Sequence, residues 1–442
     1  MVLFLGYLMM SSCATIPSMF YTHKFPSGLR LLTIPVKEVP SVSVLVLINV
    51  GSRYEDEKTN GLAHFTEHML FQGNKKWESK MELGTAVDQI GAEYNGLTGK
   101  EYTGYYVKAE SKNLELSLDI LSQMLWHSKF EDFQIEREKG VIAEEINYRE
   151  DSPQISASDS IMELIFANHP IGLSGAGEKE TIQTFKRPDF LNFHKKYYHA
   201  KNTIVIIAGS FENDHASELT RQYFGNICGL EVLRPVPWQR GVANKNSGVL
   251  VSVKEKTTDQ THFCLGALSL KKTDPKRYAL SILNIILGSG MSSRLFQKIR
   301  EEKSLAYYID SDTDNYIDTG IFSVSGGVNP QKLEEAIKSV IEELDLLTTV
   351  EVSKQELRKG KDYLRGKLAL SLEESLDKAM FYGQSWLLEG VVRTIEEIVE
   401  GLEKVSAEDV RDVAKMIFSR GNYRLSVVGK GVDVGNLEKI IF

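Results

Sequence analysis

The segment Asn202–Gly209, NTIVIIAG, returns at Asn422–Gly429 as NYRLSVVG, an offset of 220 residues. Two further correspondences fall in nearly the same register. Lys139-Gly140, inside one long helical pattern, matches Lys359-Gly360 inside another. With a small shift, the apolar run at 42–52 matches THFCLGALSL at 261–270. Three coincidences at one spacing mark an internal duplication, and such a chain folds as two copies of one unit. The length agrees, since 442 residues exceed what one hydrophobic core ordinarily serves.

Each copy mixes strand and helix signals. The first opens with YTHKF, a turn at PSGL and then RLLTIPV, a hairpin pattern. VSVLVLINVGS at 42–52 and NTIVIIAGSF read as buried strands, and AEYNGLTGKEYTGYYVKA alternates as exposed strands do. Helical patterns fill roughly 111–127 and 131–150. The expected fold is α+β: two homologous half-units, each an antiparallel-rich β-sheet packed with α-helices, joined by a linker. Residues 228–247, CGLEVLRPVPWQRGVANKNS, carry two prolines and two glycines and few periodic apolar positions. They read as that linker, dividing residues 21–227 from 248–442.

Residues 1–20, MVLFLGYLMMSSCATIPSMF, stand apart. They contain an apolar run followed by small residues, as a secretory signal would. No Lys or Arg precedes the run, however, and LMMSSC is a poor lipoprotein box. The expectation is an extension ahead of a start at Met19 and a cytoplasmic protein, with export through residues 1–20 as the alternative. Three cysteines, none at C-x-x-C spacing, suit a reducing compartment and exclude a thiolate metal site. A net charge of −8 with no dense Lys/Arg cluster gives no footprint for nucleic acid. No apolar run is long enough for a membrane span.

The duplication is most informative where it fails. GLAHFTEHMLFQGN, residues 61–74, places His64, Glu67 and His68 in an otherwise apolar helix. Residues three and four apart share a helix face, so all three can point into one site. Two neutral imidazoles at this spacing can hold Zn²⁺, which then needs a third protein ligand. In the second copy the same positions fall near Ile282, Ile285 and Ile286, and Glu145 falls on Arg365. The second copy keeps the scaffold and lacks the ligands.

The third ligand is sought in FEDFQIEREKGVIAEEINYRED, residues 130–151. Ile135, Ile142 and Ile146 mark one side of this helix, with Val141 at its edge. Glu145 lies at that sector's margin, and Glu144 is rotated a further ~100° toward solvent. Glu138, seven residues before Glu145, shares its face. Glu145 is therefore the expected ligand and Glu138 a carboxylate that orients one. Glu67, beside the open coordination position, is placed to take a proton from water, which makes the set suited to metal-assisted amide hydrolysis.

At these residues the chain resembles the pitrilysin-type (inverzincin) zinc metallopeptidases, and most closely the branch of the mitochondrial processing peptidase and its bacterial relatives. The resemblance runs from about Tyr21 to the end. It rests on HFTEHMLFQGN, on EREKGVIAEEINYRED with Glu145 falling 77 residues after His68, on GAEYNGLTGKEYTGYY and on HPIGLSGAGEKETI. In the second half, GSGMSSRLFQKIREEKSLAYYI resembles a motif whose Arg and Tyr, here Arg300 and Tyr307, reach the substrate near the metal. By the same resemblance, Asn95 and Gly96 present backbone groups to an extended peptide. It further implies one Zn²⁺ per chain, a peptide or unfolded protein as substrate, and a chamber completed by a homodimer or by pairing with an inactive homologue. The competing expectation, from another class, is a non-catalytic scaffold or assembly subunit of the same fold.

Overall fold

β-Branched residues dominate the central strands, and burial on both faces is what such strands require. In the computed structural model, which describes residues 20–167, 169–239 and 250–442, Ser41–Ile48 (SVSVLVLI) is buried along nearly its whole length. The first half contains β1 (Tyr21–Lys24), β2 (Arg30–Pro35), β3 (Ser41–Ile48), α1 (Leu62–Leu70), α2 (Lys80–Asp88), β4 (Glu93–Thr98), β5 (Thr103–Glu110), α3 (Leu114–His127), α4 (Asp132–Asp151), α5 (Pro153–Ile165), α6 (Lys179–Thr184), α7 (Arg187–Tyr197), β6 (Thr203–Gly209) and α8 (Asn213–Phe224). The second contains β7 (Val251–Glu255), β8 (Thr261–Ser269), α9 (Arg277–Leu287), a π-helical stretch Phe296–Glu302, β9 (Ala306–Asn315), β10 (Gly320–Val328), α10 (Leu333–Thr349), α11 (Lys354–Ser371), α12 (Ser375–Glu389), α13 (Ile395–Glu403), α14 (Ala407–Ile417), β11 (Tyr423–Gly429) and α15 (Val434–Ile441).

The strand orders are β1-β2-β6-β3-β5-β4 and β7-β11-β8-β10-β9. Apart from β1 the two sheets are the same sheet. Each has a single parallel pair, β2 with β6 and β7 with β11, and the remaining pairs are antiparallel. This is the α+β duplication expected from the repeat. The register of the long helices differs from the sequence match. Lys139 Nζ donates to the Gln183 carbonyl at the end of α6, and Lys361 Nζ donates to the Glu403 carbonyl at the end of α13. The equivalent of Lys139 is therefore Lys361 rather than Lys359, Glu138 corresponds to Gly360, and Glu145 to Lys367 rather than Arg365. A two-residue shift between repeats is invisible to a match on one Lys-Gly pair.

One face of each sheet carries its own half's helices, with Val42, Val44 and Val46 packed beneath α1 and α3, and Phe263, Leu265 and Ala267 beneath α9 and α10. The other faces are exchanged. Helix α12 of the second half lies on β3 and β6, burying Ala379 and Tyr382 against Leu45, Leu47 and Ile206. Helix α5 of the first half lies on β8 and β11, burying Ile161 and Ile165 against Cys264 and Val428. The approach is close: a Cβ at Gly383 of α12 would lie 3.0 Å from Ile206 and 3.1 Å from Leu47. Neither sheet is covered without the other half.

Of the expected linker, residues 228–239 form no helix or strand, and 240–247 lie outside the described residues. The described part is strapped down by Arg53, which is wholly buried. Arg53 donates to Glu101 at 2.6 Å, to Asp318 at 2.5 Å and to the Val236 carbonyl at 3.2 Å, while the Trp238 amide donates to Asp318 at 2.8 Å. The extension expected over residues 1–20 falls outside the described residues except for Phe20, which packs on Tyr382. No helix among the described residues is long and apolar enough to cross a membrane.

Candidate metal centre

Helix α1 enters the site with a buried start. Glu55 accepts from the Gly61 and Ala63 amides at 2.8 and 2.6 Å, supplying acceptors that the first turn lacks. Burial pushes this carboxyl up to about 8, while those amide bonds pull it down. The apolar side of α1, with Leu62, Phe65, Met69 and Leu70, sits in the core, and this turns His64, Glu67 and His68 toward α4 and β4.

The three expected ligands meet. His64 Nε2 lies 3.5 Å and His68 Nε2 3.7 Å from the same oxygen, Oε2 of Glu145, and one ligand atom from each residue falls within 4.8 Å of the others. His64 is not an ion-pair partner of Glu145. Burial, then the neighbouring His68 and Arg149, lower it to about 3, so it stays neutral with a lone pair to offer. Burial also works against a charged His68, but Glu138, Glu67 and Glu145 outweigh it and raise that imidazole. Two nitrogens and one oxygen gathered around a common gap form the donor set that Zn²⁺ takes, with room for a fourth ligand.

Glu138 accepts from or orients His68 Nδ1 at 2.9 Å, which leaves Nε2 for the ion. The facial assignment on α4 holds: Glu145 is half-buried in the site, whereas Glu144 is exposed. Val141 is not at the apolar edge as expected but 49% exposed, because the buried side of α4 runs through Gln134, Ile135, Glu138, Lys139, Ile142 and Ile146 and leaves position 141 outside it.

Glu67 is nearly buried and lies against the edge strand β4. Thr98 donates to it at 2.5 Å, and a Cβ at Gly96 would lie 2.6 Å from its Oε1, so glycine is what permits this approach. Burial raises the Glu67 carboxyl and the Thr98 bond opposes the shift. A carboxylate poised in this way is suited to accepting a proton near neutral pH. Asn95 and Gly96 lie on β4, whose outer edge pairs with no strand among the described residues. Clefts of about 260 and 270 Å³ flank the metal group, one lined by His64, Thr98, Lys100 and Glu145, the other by Glu67, His68, Phe71 and Asn95.

Arg300 and Tyr307 line neither cleft. Arg300 stands in the π-helical stretch with its guanidinium 4.7 Å from the Phe296 ring centre, and Tyr307 is 59% exposed on β9, the edge strand of the second sheet. The structure does not bring them into contact with the metal group. Sequence reasoning missed three supporting residues. Gln72 donates to Glu138 at 3.0 Å, Arg137 holds Gln72 at 2.6 Å, and Thr98 holds Glu67. Gln72 carried a signal, falling four residues after His68 just beyond the end of α1. Thr98 carried none, since it comes from a strand.

The family model described as insulinase (peptidase family M16) matches residues 31–179, and that described as peptidase M16 inactive domain matches 184–364. The chain is 32% identical over 407 residues to an uncharacterized zinc protease of Bacillus subtilis, covering 91% of this chain and 96% of that one. It is 32% identical over 404 residues to one of Mycobacterium tuberculosis, covering 91% and 92%. Among solved structures, a protease from Helicobacter pylori superposes with a TM-score of 0.86 at 24% identity, covering 93% of this chain and 99% of that one. A protein from Pseudomonas fluorescens described as a peptidase M16 inactive domain superposes with a TM-score of 0.84 at 19% identity, covering 93% and 98%.

Proposed function

The chain belongs to the insulinase (peptidase M16) family, and from that premise we propose that it is a zinc-dependent endopeptidase acting on peptides and on extended or unfolded polypeptide segments. What carries the reading is the convergence of His64, His68 and Glu145 on one gap with Glu67 beside it. His64 and His68 would hold the ion through Nε2 and Glu145 through its carboxylate, with Glu138 keeping His68 in the ligating tautomer. When bound, the ion supplies Lewis acidity toward a carbonyl and makes water easier to deprotonate.

The chain's own groups do the rest. Strand β4 offers its free edge, with Asn95 and Gly96, to pair with an extended peptide and lay it across the metal group. Glu67 takes a proton from the attacking water, holds it on its carboxyl, and delivers it to the leaving amine nitrogen. Arg300 and Tyr307 line neither cleft of their own chain, so the contacts proposed for them, Arg300 donating to a substrate carbonyl and Tyr307 to the oxygen where negative charge develops, would be supplied by a second copy. A second copy, or an inactive homologue, completes an enclosing chamber.

The test is metal analysis together with cleavage of a quenched-fluorescence peptide library, with and without chelator. One zinc per chain and chelator-sensitive cleavage are expected. H64A and E145Q lose the zinc, and E144Q keeps it. Cleavage that ignores the chelator overturns the mechanism, and a zinc-loaded protein that cleaves nothing moves the reading to a scaffold.

A further inference from the structure

Glu138 meets His68 with one of its two carboxylate oxygens, and the other is taken by a residue that the proposed reaction does not use. His68 Nδ1 lies 2.9 Å from Oε1, and Gln72 Nε2 donates to Oε2 at 3.0 Å. Glu138 is 4% exposed, and among the described residues it pairs with no Lys or Arg. A buried carboxylate is costly unless its oxygens are bonded. With both oxygens bonded, it is also held against rotation.

Gln72 is itself pinned at each polar group. Its Oε1 accepts from Arg137 at 2.6 Å, its carbonyl accepts from Gln134 Nε2 at 2.7 Å, and its amide donates to the Met69 carbonyl at 3.2 Å. Its Nε2 also lies 3.5 Å from the His68 carbonyl, at the limit of a hydrogen bond. Turning the side-chain amide over would set oxygen against carboxylate and nitrogen against guanidinium, so the partners fix which end faces Glu138. A neutral amide thus stands between the exposed Arg137 and the buried Glu138. A direct ion pair with Arg137 would engage the oxygens that serve His68. Lys139, on the other side of Glu138, is turned away to Glu136 and the Gln183 carbonyl.

The duplication separates the scaffold's share of this arrangement from the metal's. Lys359, two residues before Lys361 as Arg137 is before Lys139, is the counterpart of Arg137. It reaches the segment after α9 as Arg137 reaches the segment after α1, donating to the Ser292 carbonyl at 2.6 Å. A cation that ties the two segments is therefore common to both halves. The amide and the carboxylate are not. Gly290 falls four residues after Ile286, where Gln72 falls after His68, and Gly360 takes the place of Glu138. Gln72 and Glu138 occur together only beside the metal-type donors.

We infer that Gln72 is a positioning residue for the metal. It acts through Glu138, holding that carboxylate toward His68 and insulating it from Arg137, and it thereby raises the affinity for zinc. The inference rests on His64, His68 and Glu145 being zinc ligands.

The experiment is the zinc affinity of the intact protein, measured by competition with a chromogenic chelator. Q72M, similar in size and without the amide, binds zinc about three- to tenfold more weakly, a smaller loss than that of E138A. Q72N, too short to span both partners, weakens it likewise and stands in if Q72M fails to fold. The double variant Q72M/E138A matches E138A, because Gln72 then has nothing to act through; a residue that merely packed would add its own loss. R137Q returns part of the affinity when added to Q72M, since it removes the competing cation. The inference is overturned if Q72M and Q72N both bind zinc as the unaltered protein does, if the losses of Q72M and E138A add, or if R137Q lowers the affinity of Q72M further. Unaltered protein that takes up no zinc overturns the ligand assignment itself, and this inference with it.

Discussion

The seam between α1 and α4 and the seam between α9 and α11 are the same seam in two copies of one fold, and they are built from opposite materials. In the first, His68 meets Glu138 at 2.9 Å and, with His64, faces Glu145. In the second, Ile282 and Ile286 are fully buried and face Gly360, the counterpart of Glu138; a Cβ there would lie 3.1 Å from Ile282 and 3.5 Å from Ile286. Isoleucine against glycine closes the seam by packing. Imidazole against carboxylate keeps it open, with side chains 14% and 21% exposed at His64 and His68. A seam shaped to take an ion forgoes close packing, and among the described residues the metal-type donor set stands in the first copy.

The comparison is broken most severely at Glu67. E67Q keeps the shape and zinc but removes the proton acceptor, and peptide cleavage should fall by about 10²–10⁴-fold with metal content unchanged. Retained activity would show that the first seam's chemistry does not run through this carboxylate.

The packing side is tested by I286A against H68A in metal-free protein. Deleting a buried isoleucine should cost about 2–5 kcal/mol in urea denaturation, and removing the half-buried His68 about 1 kcal/mol. Equal losses would mean that the first seam is structural in the same sense as the second.

E138Q probes the orienting bond. It should weaken zinc binding by about 10–100-fold in competition with a chelator, without abolishing it. An unchanged affinity would reduce Glu138 to a packing residue.

The most gradual effect is on pH. His64 is held at about 3, below its ordinary 6.5, so the unfolded chain binds that proton more readily. Metal-free protein therefore loses stability through His64 as pH falls from 6.5 toward 3, by at most about 1.4 kcal/mol per pH unit. His68 is raised, so its contribution is present below 6.5 and is lost as pH rises through its folded value. Denaturation between about pH 4 and 7 should show a shallower acid-side loss in H64A and a steeper one in H68A.

Much of this was legible along the chain because it is local. The β1–β2 hairpin, the buried strand β3 and the face shared by His64, Glu67 and His68 follow from periods of two and 3.6 residues. The choice of Glu145 over Glu144 followed from the same geometry, since a rotation of ~100° on α4 decides which carboxylate turns inward. Thr98 and Arg53 were not legible, because each acts on a partner from another element.

The sequence by itself determined that there are two copies, that one carries a metal-type donor set and the other does not, and which helix faces bear it. Those are properties of periodicity and residue chemistry within single segments. Only the tertiary structure decided that α5 and α12 are exchanged between the sheets, that Arg53 ties both halves to the linker segment, and that Lys139 aligns with Lys361. It also decided that Arg300 and Tyr307 line neither of the clefts at the metal group. These depend on which apolar surfaces find each other across long stretches of chain, and burial is non-directional, so no local pattern specifies the partner.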